Sequence, residues 1–122
     1  MMHLMINLLR IFKRRYYIYK YGLNDVDKTF IASASCSISK DFKAGAYSYV
    51  GPGSTIYPKV TIGKYTMLAN DVHILGGDHR FDIVGTPIIF SGRGELRETV
   101  IGDDVWIGAH SIIMSGVHIG NG

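Results

Sequence analysis

At 122 residues with a net charge of +3, the chain is one domain by size, and its charge is too modest to point to nucleic acid. Its single cysteine, Cys36, rules out an internal disulfide and argues against a thiolate metal site. Hydrophobic residues make up 47% and charged residues 19%, the balance of a folded protein and not of a disordered one.

Residues 1–30 form an N-terminal segment of their own. Met1–Leu9 is apolar and Arg10–Arg15 (RIFKRR) is basic. A secretory leader runs the other way, basic before apolar, and no small-residue cleavage site follows here. No stretch reaches the roughly 18–20 apolar residues that a membrane helix needs. The segment reads as a short helix covering one end of the fold. The alternative is weak contact between residues 1–15 and an anionic membrane surface. Together with the lone cysteine, this points to a cytoplasmic protein, at most peripheral to the inner membrane face.

From residue 31 the sequence repeats. Ala32, Ile38, Ala44, Val50, Ile56, Ile62, Leu68 and Ile74 recur at a spacing of six. A second run follows at Ile101, Ile107, Ile113 and Ile119. Four places after each aliphatic residue the side chain is mostly small or β-branched, as at Ser48, Ser54, Val60, Thr66 and Val72. Glycine often follows the aliphatic position directly, at Gly45, Gly51, Gly63, Gly102, Gly108 and Gly120. An α-helix would scatter positions six apart around its surface, whereas an even period suits short strands with alternating side chains. The expectation is an all-β chain: a parallel β-helix of short strands and corners, in which glycine permits a tight backbone. Three hexads per turn would stack Ala32, Val50 and Leu68 in one interior ladder and Ile38, Ile56 and Ile74 in a second. Ala44 and Ile62 would begin the third.

The register breaks once. Ile74 and Ile101 are 27 apart, which is not a multiple of six. Residues 80–100 (RFDIVGTPIIFSGRGELRETV) therefore read as a loop extruded from a β-helix domain spanning 31–122. Loops on a rigid scaffold are where chemistry tends to sit.

Three stretches carry a resemblance to a known family: IGKYTMLANDV (Ile62–Val72), GGDHRFD (Gly76–Asp82) and IGDDVWIGAHSIIMSGVHIGNG (Ile101–Gly122). They resemble the hexapeptide-repeat acyltransferases, and within them the xenobiotic and polysaccharide O-acetyltransferase branch. The resemblance implies a left-handed coil of triangular section, an exception to the right-handed crossover rule. It also implies a homotrimer with active sites between subunits, and acetyl-CoA as donor. The acceptor it implies is a sugar hydroxyl in surface-polysaccharide biosynthesis: capsule, O-antigen or exopolysaccharide. Alternatives are a streptogramin- or chloramphenicol-type xenobiotic acetyltransferase, and an inactive coil with a structural role.

The same resemblance assigns residues. The family's catalytic histidine falls on His79. Acetyl transfer needs a base for the acceptor's proton, and a histidine suits that at neutral pH. Asn70 falls where related sugar acetyltransferases contact the acceptor, since an amide both donates and accepts. Asp78 is a second candidate on the substrate side, placed beside His79 to orient the imidazole. Trp106, Gly108 and Ala109, in VWIGA, fall where the coil lines the pantetheine arm of acetyl-CoA. Trp106 follows the inward Val105 and so should point outward. Arg80, Arg93 and Arg97 are candidates for CoA phosphates or an anionic sugar.

Zinc is the competing reading of the histidines, because β-helical carbonic anhydrases hold zinc between subunits with an H-x4-H pair. Here the spacings are 6 (His73 to His79), 31 (His79 to His110) and 8 (His110 to His118), so no such pair exists and no metal is expected. Family members usually continue through one or two more coils and a C-terminal segment, which walls the adenosine end of acetyl-CoA. This sequence stops at Gly122 inside a hexad, so the expectation is a C-terminally truncated chain with weakened donor binding.

Overall fold

A computed structural model describes residues 1–122. The chain opens with α1 (Met2–Tyr21). Its Leu, Met, Arg and Lys residues favour helix, and no glycine or proline interrupts them. Gly22 ends it in the left-handed region at φ 66°. The Gly22 N–H donates to the Tyr19 carbonyl and the Leu23 N–H to the Ile18 carbonyl, both at 3.0 Å. No residue of α1 is buried. Only Tyr17, Ile18 and Tyr21, near its C-terminus, pack on the core. The Tyr21 hydroxyl donates to the Ser33 carbonyl at 2.7 Å and accepts from the Cys36 N–H at 3.2 Å, which ties the helix end to the coil. Burial pushes the Tyr21 phenol pKa upward.

Thirteen short strands follow. They are β1 (Asp25–Val26), β2 (Ile31–Ala32), β3 (Ser37–Ile38), β4 (Lys43–Ala44), β5 (Tyr49–Val50), β6 (Thr55–Ile56) and β7 (Val60–Ile62). After them come β8 (Met67–Leu68), β9 (His73–Ile74), β10 (Thr99–Ile101), β11 (Trp106–Ile107), β12 (Ile112–Ile113) and β13 (His118–Ile119). Every third strand pairs in parallel, which makes three sheets: β1-β4-β7-β10-β13, β2-β5-β8-β11 and β3-β6-β9-β12. We call them sheets one, two and three. The fold is a left-handed parallel β-helix built from hexapeptide repeats.

The interior ladders match the expected register. Ala32, Val50, Leu68 and Ile107 stack in sheet two. Ile38, Ile56, Ile74 and Ile113 stack in sheet three. Val26, Ala44, Ile62, Ile101 and Ile119 stack in sheet one. Two boundaries differ from the sequence reading. The coil begins with β1, inside the stretch assigned to the N-terminal segment, because Val26 extends the hexad series one step upstream. It resumes at Thr99, inside the stretch assigned to the loop, because Thr99 and Val60 pair ahead of the inward isoleucines.

The corners correct the role given to glycine. The left-handed backbone lies three places after the inward aliphatic residue, and mostly without glycine: Ser35, Tyr47, Lys59, Tyr65, Asp71, Asp104 and His110 all have positive φ. None is β-branched, the class that this torsion penalises most. The glycines directly after the aliphatic position have no positive φ. Gly45, Gly51, Gly63 and Gly102 are small because the next coil's backbone lies against them: a Cβ on Gly45 would meet the Lys64 nitrogen at 2.6 Å.

Buried polar corners bond to the backbone. Ser48 Oγ donates to the Gly45 carbonyl at 2.6 Å, and Thr66 Oγ1 to the Gly102 carbonyl at 2.6 Å. Outside, Asp41 accepts from the Ser39 hydroxyl at 2.6 Å and from the Lys59 N–H at 2.8 Å, which joins adjacent coils. The Ser39 bond, then the Lys59 bond, holds the Asp41 carboxyl below its ordinary 3.8. A lowered folded pKa means stabilisation that is present above the ordinary value and lost as pH falls through the folded one. Asp41→Ala is expected to lower the melting temperature by a few degrees at neutral pH. The gap to the parent should close in strong acid, and thermal melts across pH check it.

Candidate active site

The loop leaves the coil after β9, at the corner between sheets three and one, and returns at β10. Its base is zipped together. The Arg80 N–H donates to the Gly92 carbonyl at 3.0 Å, and the Gly94 N–H to the Asp78 carbonyl at 2.8 Å. His79 faces Arg93 across this antiparallel bridge. Arg93 Nη1 reaches the Gly77 carbonyl at 2.8 Å. Ser91 is buried, and its hydroxyl bonds to the Arg80 and Ile88 carbonyls. Beyond that base, residues 81–90 are exposed, and they include Phe81, Ile83, Val84, Ile88, Ile89 and Phe90.

An open cleft of about 450 Å³ lies at the loop base. Gly77–Asp82 line one side, Gly94, Glu95 and Arg97 another, and Met114 and Ser115 of the next coil the third. His79 is half-buried here. Its Nδ1 is enclosed without a hydrogen-bond partner, which leaves Nε2 as the ring nitrogen open to the cleft. Ser115 braces the far wall: its Oγ accepts from the Arg97 N–H at 2.8 Å and donates to the Arg97 carbonyl at 3.0 Å.

Asp78 lines the same cleft but is exposed, and it bonds to the loop base through its backbone carbonyl. Its carboxylate makes no hydrogen bond to His79, so the expected orienting contact is absent in this structure. Of the three arginines, two are engaged within the loop. Arg80 forks onto Asp82 at 3.0 and 2.9 Å, which raises the pKa of the guanidinium and lowers that of the carboxyl. Arg93 holds Gly77, as above. Arg97 is exposed on the cleft wall, 3.9 Å from Glu95.

The remaining assigned residues gather elsewhere, at the corner between sheets two and three. Asn70 follows β8, and Gly108 and Ala109 follow β11 one coil above it. The Asn70 carbonyl accepts the His110 N–H at 3.0 Å. Gly108 has open space where a Cβ would stand. Trp106 projects from sheet two, 74% exposed, in register with Met67. One copy thus keeps His79 and Asp78 on one corner and Asn70, Gly108 and Ala109 on another. The other histidines are scattered: His3 on α1, His73 on sheet three, His118 on sheet one, and His110 at the Asn70 corner, 3.8 Å from Asp71.

Sequence reading missed Glu95, Met114 and Ser115. Met114 and Ser115 occupy ordinary repeat positions, and nothing local marks Glu95 as facing His79. Their signal was the register break itself, which places residues of β12's corner one coil above the loop entry.

Comparison with known proteins agrees with this architecture. Residues 98–122 match the family described as bacterial transferase hexapeptide (six repeats). The chain is 35% identical over 91 residues to a protein of Lysinibacillus sphaericus named "Probable macrolide acetyltransferase". That match covers 62% of this chain and 47% of the relative, so the chain spans about half the relative's length. No solved structure matches it significantly. The thirteen short strands wound into a three-sheet coil agree with these two matches, and over the matched stretches the chain is similar to the hexapeptide-repeat transferases.

Proposed function

We propose that this chain forms an acetyl-CoA-dependent O-acetyltransferase. The observation that carries the reading is His79: half-buried at the loop entry, with Nδ1 enclosed and Nε2 open to a cleft. In the proposed reaction, Nε2 takes the proton of an acceptor hydroxyl as its oxygen attacks the acetyl carbon of the thioester. The carbon–sulfur bond breaks, and the thiolate leaves and recovers the proton from the imidazolium. Trp106, Gly108 and Ala109 suit the donor. An extended pantetheine chain needs an open strip along the coil, and there Gly108 is unobstructed and the indole exposed.

This reading calls for a homotrimer. The base and the donor-side residues lie on different corners of one copy, so threefold packing would set one copy's loop corner beside its neighbour's Asn70 corner. Two apolar surfaces support such packing: the loop tip, and the outward pair Met67 and Trp106 on sheet two.

Two acceptor classes are distinguishable. A sugar hydroxyl of a surface polysaccharide follows from the sequence resemblance. A xenobiotic hydroxyl is favoured by the name of the Lysinibacillus relative, "Probable macrolide acetyltransferase". Thiol release from acetyl-CoA with a panel of sugars, a macrolide, a streptogramin and chloramphenicol separates them. Release with sugars alone supports the first class, and release with an antibiotic alone the second. Release with no acceptor, with the chain trimeric and folded, would refute the enzyme.

A further inference from the structure

Upstream of Tyr17, α1 departs from the usual arrangement of a surface helix. Such a helix normally turns its apolar stripe to the core and its charges to water. Here Arg14 faces the coil: its Nε is enclosed, and it lines a cleft with Arg10, Lys13, Ile31–Ala34 and Tyr49. The opposite face carries Met5, Leu9, Phe12, Tyr16 and Tyr19, spaced 4, 3, 4 and 3 residues apart, and so on one stripe. They are between 57% and 86% exposed. At 3.6 residues per turn, Arg15 borders the stripe on one side and Lys13 and Lys20 on the other. The helix contains no acidic residue.

We propose that α1 docks the protein onto an anionic phospholipid bilayer. The stripe enters the headgroup boundary with the helix lying in the surface plane, and Lys13, Arg15 and Lys20 pair with anionic headgroups. An apolar face with cationic borders is the pattern of helices that lie on membranes, and tyrosine suits the interfacial level. The helix lies on the bilayer and does not cross it, since it is not long and apolar enough to span. Charge decides between a bilayer and a second α1 as the occupant. A second α1 on the stripe would bring a matching set of cationic borders against this one, whereas an anionic surface neutralises them. The docking is independent of the acetyl-transfer reading.

The test is flotation of the whole 122-residue chain with two kinds of vesicle. One is phosphatidylcholine alone, and the other contains about one third phosphatidylglycerol. The chain is expected to float with the anionic vesicles, to bind the neutral ones at least about tenfold more weakly, and to detach at high salt. Leu9→Glu/Phe12→Glu should lower anionic-vesicle binding by about tenfold or more. Because Leu9 and Phe12 are exposed and lie outside the core cluster, that variant should keep the parent's melting temperature and mass in solution. Three results would overturn the proposal. One is no flotation with anionic vesicles, and another is flotation that the double variant leaves unchanged. The third is a change of oligomeric mass in the variant, which would make the stripe a contact between copies. If the variant melts early, Lys13→Gln/Arg15→Gln/Lys20→Gln serves in its place, with the same loss of anionic-vesicle binding required.

Discussion

His79→Ala is expected to lower the turnover of acetyl transfer by about 10²–10⁴-fold, the range that a positioned general base contributes. The loss should fall on kcat more than on KM, because the imidazole acts on the proton being transferred and not on the bulk of either substrate. The fold should survive. His79 lies outside the interior ladders, and its side chain makes no hydrogen bond that the coil depends on. The bridge to Arg93 runs through the backbone, as do the bonds from Arg80 and Gly94 that close the loop base. Thiol-release kinetics give the rate, and melting temperature and solution mass report on the coil. Near-parental turnover from a folded variant would remove His79 from the mechanism. Asp78→Asn, by contrast, should change kcat only a few-fold, since that carboxylate makes no bond to the imidazole.

The second large effect concerns Gly51. A Cβ there would stand 2.6 Å from both the carbonyl carbon and oxygen of Ala69, and 2.9 Å from the Asn70 nitrogen. All three are backbone atoms of the next coil, so no side chain can swing away. Moving the coils apart would stretch the Gly51 N–H bond to the Leu68 carbonyl, 2.8 Å long, and the ladder bonds beside it. Gly51→Ala should therefore cost about 3 kcal/mol, at the upper end of ordinary overpacking. In a domain of this size that is a fall of roughly 10 °C in melting temperature. The torsion is not the cause, since Gly51 has no positive φ. Gly108→Ala separates the two explanations. It occupies the same place in its hexad but has nothing within 4 Å of the Cβ position, so its melting temperature should stay near the parent's. Equal losses in both variants would mean that glycine is required there for its backbone freedom after all.

These two cases differ in how much could be read from the sequence. His79 was legible because a break in a counted register singles out one place, and a motif stands on it. Glycine at the post-aliphatic position was legible as a pattern, but its reason was not. The reason is contact with residues one coil away, whose distance along the chain is 18 before the loop and 39 across it. The same distance explains the cleft. Its third wall, Met114 and Ser115, meets His79 only because the chain completes another turn after the loop closes.

The sequence by itself determined the coil, its register and its interior. A strict period of six buries one aliphatic residue per strand, and no other stacking buries all of them at once. Val26 shows the same rule running one hexad further than it was traced. The tertiary structure decided what is not periodic. Asn70, Gly108 and Ala109 are near His79 in the motif's logic yet lie on another corner of the triangle, because six residues of coil turn the chain from one face to the next. The direction of α1 was decided there too. Its composition allowed either a cap or a surface helix, and only the anchoring of Tyr17, Ile18 and Tyr21 on the coil turned the apolar stripe outward.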